Sequence, residues 1–150
     1  MDIKGLLKEL KEKGVPTGSN YFFDNKYYKD IDYVIHYNLW SEFIDKYDCK
    51  SLERDNPVPE LYEESFINSK FKHNGVNYDI VIVKSLDGLA IWHKSSIELK
   101  SLIEYSKPFK KICMDKSART NMFAGLMQYY RDNINLLKED FLRDAWYRDK

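Results

Sequence analysis

"SFINSKFKHNGVNYDIVIVK", residues 65–84, decides how the chain folds, because Asn74-Gly75 stands between two β-rich runs. Both central positions of a two-residue hairpin turn need positive φ, which asparagine and glycine tolerate, so the pair predicts two antiparallel strands. The second strand carries an anomaly. Asp79 is the sole acid in a run that continues Ile80, Val81, Ile82, Val83, and a carboxylate among such neighbours is costly unless it is paired or holds a metal. The ordinary alternative is an edge strand whose acid faces water.

Upstream, "KSLERDNPVPE" (50–60) has two prolines and many polar residues, which predicts a loop too short to link domains. "LWSEFIDKYD" (39–48) predicts a helix packing Leu39, Trp40, Phe43, Ile44 and Tyr47, and "IDYVIHY" (31–37) a strand leading straight into it. Ile3, Leu6, Leu7 and Leu10 fall at helical spacing among charges, with Gly14 where a C-terminal stop belongs. Downstream of Leu86 the pattern is helical. Leu89, Trp92, Ile97, Leu99, Leu102 and Ile103 mark one helix, Lys107-Pro108 a break, and about Phe109 to Trp146 a long further stretch. The expected fold is α+β: a small, mostly antiparallel or mixed sheet within residues 1–85, flanked by helices, with a helical half over 86–150. At 150 residues the whole reads as a single domain.

Composition narrows the function. Lysine plus arginine equal aspartate plus glutamate at 24 each, so no global field draws the chain to long nucleic acid or an anionic membrane, and any nucleotide site must be local. Cys49 and Cys113 lack the paired spacing of a zinc ribbon or redox motif, and His36, His73 and His93 are scattered. The start, "MDIKGLLKELKEKG", has no apolar core like that of a signal peptide, and no run approaches the ~18 apolar residues of a membrane span. The expectation is a cytoplasmic protein with reduced thiols.

A second stretch answers Asp79. In "TGSNYFFDNKYYKDIDYVI" (17–35) strand alternation puts Asp30 and Asp32 on one side. A solvated loop-to-strand junction would explain the two aspartates taken alone. If the strand bearing Asp79 pairs beside 31–37, however, Asp30, Asp32 and Asp79 converge at one sheet end and repel unless a divalent cation, Mg2+ or Mn2+, neutralises them. Gly18-Ser19, opening a short helix, would then offer N–H groups and a hydroxyl to a phosphate with no side chain in the way at Gly18.

"GSNYFFDNKYYKDID" with the later "YDIVIV" resembles the nucleotidyltransferase (DNA polymerase β-like) superfamily. That signature runs Gly-Gly or Gly-Ser, a gap, Asp-x-Asp, and a third acid on a following strand; here the gap, Asn20 to Lys29, is ten residues. The resemblance implies metal-binding aspartates at Asp30 and Asp32, the third carboxylate at Asp79, and a phosphate-holding pair at Gly18 and Ser19. It covers roughly residues 15–84 and is nearest to minimal members, including antitoxin-type and phage-encoded ones. One departure stands out: many of these carry arginine and glycine soon after Gly-Ser, whereas this chain has Asn20, Tyr21, Phe22 and Phe23. The implied activity moves a nucleoside monophosphate from an NTP to an acceptor hydroxyl, on RNA, a small molecule or a protein side chain, and releases pyrophosphate, with two metal ions roughly 3.5–4 Å apart. A non-catalytic nucleotide- or protein-binding module that keeps the fold, antitoxin-like or an assembly protein, is the rival expectation.

Further candidates come from the residues themselves. Lys116 and Arg119 lie three apart on one helix turn, as triphosphate ligands or as a solvated face. Trp92, His93 and Lys94 would border the nucleotide, and Tyr27, Tyr28 and Tyr33 would stack on a base, unless all of them simply pack.

Overall fold

The computed structural model describes residues 1–24, 30–55 and 64–137. Its first element, helix α1 (Ile3–Lys13), starts where the Asp2 carboxylate accepts a hydrogen bond from the Gly5 N–H at 3.0 Å, and buries Leu6 and Leu10 completely. Gly14 ends it, though with an extended φ of −81° rather than a left-handed one. Glycine is needed there for closeness: a Cβ would lie 2.6 Å from the Leu10 carbonyl oxygen.

Among the described residues five strands follow: β1 (Val15–Thr17), β2 (Ile31–His36), β3 (Glu53–Asp55), β4 (Ser65–His73) and β5 (Val76–Val83), in spatial order β1-β2-β5-β4-β3. Asn74 and Gly75 have φ of 51° and 79°, so the hairpin turn forms as its sequence requires. β2 runs parallel to β5, and the other pairings are antiparallel. The sheet is therefore mixed, and β5 is its central strand rather than an edge.

Helices cover both faces. Helix α3 (Tyr37–Tyr47) and α1 pack on the side of Ile35, Ile80 and Ile82, where Trp40 and Phe43 are fully buried. Each such side chain contributes about 1.5–3 kcal/mol. The opposite face, with Val15, Val34 and Val83, meets α2 (Gly18–Phe22), α4 (Leu86–Tyr105) and α6 (Lys116–Asp132) through Phe22, Leu89, Trp92 and Phe123. Lys100 of α4 ties α2 down, donating to the Tyr21 carbonyl at 2.7 Å and ion-pairing with Asp24.

The differences from expectation are local. The predicted loop 50–60 holds a 3-10 turn (Lys50–Leu52) and β3, whose charged "ERD" shows no alternation because edge pairing with β4 alone makes it a strand. α3 begins two residues before Leu39, since the His36 Nδ1 accepts from the Asn38 N–H at 3.1 Å and caps it. In α4, Ile97 and Leu102 are exposed while Ser95 and Ser96 are buried. Ser96 lets β1 approach, sharing a 2.8 Å hydrogen bond with Thr17 and donating to the Trp92 carbonyl at 2.8 Å. The long helical stretch after Phe109 is divided: α5 spans Lys107–Cys113, and Asp115 caps α6 by accepting from the Ala118 N–H at 2.9 Å. Its portion beyond Leu137 lies outside the described residues. Cys49 and Cys113 are buried free thiols.

Candidate functional site

One row of side chains crosses the sheet. Thr17 of β1 is in register with Asp32 of β2, Asp32 with Asp79 of β5, and Asp79 with Lys70 of β4. Residues in direct register point to the same face with Cβ atoms about 4.5–5.5 Å apart. Two strands that are remote in sequence thus set two aspartates side by side, on the face covered by α2, α4 and α6. Thr17 turns its hydroxyl away to Ser96, which leaves the acids and the lysine.

These residues open into a cavity of about 370 Å3 that Gly18, Ser19, Asp30, Asp32, Asp79, Lys116 and Arg119 all line. The seven residues that the sequence assigned to metal and phosphate come together there. Trp92 and Phe123 form its apolar wall, with ring centroids 5.9 Å apart, so Trp92 is core and wall at once. His93 and Lys94 are not among the residues that line it. Tyr33 sits on the opposite face of the sheet, packed with the α1–α3 core, and with Tyr78 lines a separate cavity of about 380 Å3 at the same sheet end. Tyr27 and Tyr28 lie outside the described residues.

The acids are electrostatically strained. Burial, then the charges of Asp79 and Asp30, pushes the Asp32 carboxyl up to about 7 against the pull of Lys70. Burial also raises Asp79, with Lys70 again pulling the other way. The repulsion between the two is relieved when the pair takes up one proton. Asn68 gives Asp79 little help. Its amide reaches Asp79 Oδ1 only at 3.5 Å, whereas turned over it donates to the Arg54 and Asp55 carbonyls at 3.2 and 2.8 Å, the better-satisfied orientation. Asp30 is more settled, accepting from Asn77 Nδ2 at 3.0 Å.

Gly18 completes the wall. Its φ is +80°, and a Cβ there would lie 2.0 Å from Asp32 Oδ2. The group that needs the space is therefore the carboxylate of Asp32 itself. Across the cavity, Lys116 and Arg119 occupy the first turn of α6. Arg119 is anchored, donating from Nη1 to the Cys113 carbonyl at 2.9 Å with its guanidinium 5.7 Å from the Phe23 ring centre.

The carboxylate oxygens of Asp32 and Asp79, with Asp30 beside them, are the donors a hard cation would use. As they stand, no three His, Cys, Asp or Glu side chains among the described residues gather closely enough to clasp an ion. Sequence reading missed Lys70, Asn77 and Thr120, all within or beside the site. For Lys70 a signal existed: a two-residue turn at Asn74-Gly75 sets His73 opposite Val76 and, counted back, Lys70 opposite Asp79. No helix among the described residues is long and apolar enough to cross a membrane. No protein-family model, no curated protein and no solved structure matches the chain.

Proposed function

We propose that the chain is a metal-dependent nucleotidyltransferase that moves a nucleoside monophosphate from an NTP to an acceptor hydroxyl. The observation that carries this reading is the in-register pair Asp32–Asp79, only partly offset by Lys70 and sharing one cavity with Lys116 and Arg119. Acids on one wall and bases on the other suit a substrate that arrives as a metal–polyphosphate complex. Mg2+ is commonly held by only one or two carboxylates plus substrate phosphates, so a complete protein cage is not needed beforehand. A bound divalent cation would supply charge neutralisation and a lowered pKa for the acceptor hydroxyl.

The chain's own groups do the rest. Lys116 and Arg119 hold the β- and γ-phosphates, and the Ser19 hydroxyl hydrogen-bonds a phosphate oxygen. The acceptor oxygen attacks the α-phosphorus, its proton passes to Asp79, the bond from the α-phosphorus to the bridging oxygen breaks, and pyrophosphate leaves. Burial holds the Asp79 carboxyl above the ordinary carboxylate range, which is the direction a proton acceptor needs. Catalysis is mainly positioning and electrostatic stabilisation.

A second reading, a non-catalytic binding module, is favoured by one observation: Asp30 already serves Asn77, and no three acids are gathered among the described residues. Calorimetric titration with each NTP, in Mg2+ and in chelator, followed by an α-labelled transfer assay, separates the two. Metal-dependent binding with transfer supports the enzyme; binding without transfer supports the module; no binding removes both nucleotide readings.

A further inference from the structure

The hairpin of β4 and β5 continues past the acids to its tip at Asn74-Gly75, three strand residues beyond Asp79 on β5, or about 10 Å. Lys70 and Lys72 lie on this arm, in register with Asp79 and Asn77, and so on the same face as the acids. Both lysines are exposed, and Lys70 lines the cavity. Two strand positions separate them, about 6.8 Å. On the reverse face Phe71 stacks on Tyr78, with centroids 5.5 Å apart and planes 20° from parallel, which stiffens the arm. In a chain with as many acids as bases, residues 65–78 contain no acid at all.

We propose that this arm binds the acceptor, and that the acceptor is the 3′ end of a single-stranded nucleic acid. The inference rests on the nucleotidyltransferase reading, which leaves Lys116 and Arg119 to the triphosphate. A second basic pair on the other side of Asp79 is then surplus to the NTP. It leads away from the reacting centre in a line, which suits a chain of phosphodiesters whose terminal hydroxyl lies at Asp79. An uncharged small-molecule acceptor offers nothing for two lysines in series, and a protein segment lacks the regularly repeated anions of a phosphodiester backbone. The usual reason for lysine here is protection of an open strand edge, since among the described residues β3 pairs β4 from Ile67 to Ser69 and no further. Edge protection is satisfied by lysine anywhere along that edge and does not require Lys70 to line the acidic cavity.

Fluorescence anisotropy with a 5′-labelled single-stranded oligoribonucleotide tests the inference without any chemistry, using the full chain, the Lys70→Gln/Lys72→Gln variant and a charge-matched Lys4→Gln/Lys8→Gln control on α1. The wild type and the control are expected to bind with the same salt dependence. The arm variant should lose affinity, with a log–log salt slope shallower by about 1.4, the value for two phosphate contacts on a single strand. Lys72→Gln alone, at a position that does not line the cavity, should show about half of that slope change while keeping the NTP affinity of the wild type and the control in Mg2+. No oligonucleotide binding by the wild type, or equal binding by the arm variant, overturns the proposal. Oligonucleotide binding that follows the pattern while no NTP binds leaves the arm in place as a nucleic-acid site and removes the transferase reading instead. If transfer occurs equally well to a nucleoside lacking phosphates, the acceptor assignment is wrong while the enzyme stands.

Discussion

Gly18 and Asp32 occupy space that only a glycine can share: a Cβ at Gly18 would come within 2.0 Å of the Asp32 carboxylate. Two features separated by the Gly-Ser and Asp-x-Asp spacing in sequence are thus one packing unit. Gly18→Ala should put a side chain at positive φ, costing about 1–2 kcal/mol, and also push Asp32 off its position. Melting temperature and metal-dependent NTP affinity should both fall. In a double-mutant cycle, Gly18→Ala combined with Asp32→Ala should be destabilised by less than the two single changes predict, because the collision is gone. Strict additivity would mean that the two residues are not coupled.

Asp32 should make the apo protein less stable as pH rises. Its folded pKa, about 7, lies above the ordinary carboxylate value, so the folded state binds the proton more tightly than the unfolded one. The penalty is absent below about pH 4, grows as pH rises through the folded pKa, and is complete above it. In chelator at pH 8, Asp32→Asn should therefore stabilise the fold by roughly 2–4 kcal/mol, and near pH 4 by nothing. Asp79→Asn should act in the same direction. Urea denaturation at the two pH values reads both, and a loss of stability at pH 8 would show that the carboxylate has a structural partner.

Asp30 should behave differently from the other two acids. It accepts from Asn77 in an exposed position, so Asp30→Ala loses a hydrogen bond of about 0.5–1 kcal/mol while relieving part of the repulsion on Asp32, and should gain less in chelator than Asp32→Asn. Thermal melts of the three single variants side by side check this ordering.

Lys116→Ala should weaken NTP binding about tenfold and leave the melting temperature unchanged, as expected for an exposed charge at the start of a helix. Arg119→Lys should weaken binding and also lower stability, because the hydrogen bond to the Cys113 carbonyl and the packing on Phe23 depend on the guanidinium. Calorimetry with parallel melts separates the two behaviours.

Much of this architecture is legible in the sequence because local rules agree with the tertiary result. Asn74-Gly75 fixes the hairpin and its register, and with them the partner of Asp79. The convergence of Asp32 and Asp79 needed one assumption, that β5 lies beside β2, and the structure has that pairing. What was not legible depends on contacts between distant segments. β3 is a strand only through its edge pairing with β4, Ser96 is buried only because Thr17 reaches it, and the need for glycine at position 18 appears only once Asp32 is beside it. Lys116 and Arg119 were ambiguous for the same reason, since helical spacing says which face they share and not what that face meets.

The most direct measurement incubates the purified chain with each α-labelled NTP, Mg2+ and separated cell RNA and protein fractions, beside the Asp32→Asn and Asp79→Asn variants. The account predicts that the wild type labels the RNA fraction, that chelator abolishes the label, and that each variant loses at least a hundredfold in rate while remaining folded, in keeping with the roughly 10²-fold or greater contributions of electrostatic and acid–base groups. Absence of label in every fraction with every NTP, or undiminished labelling by Asp32→Asn, would contradict it.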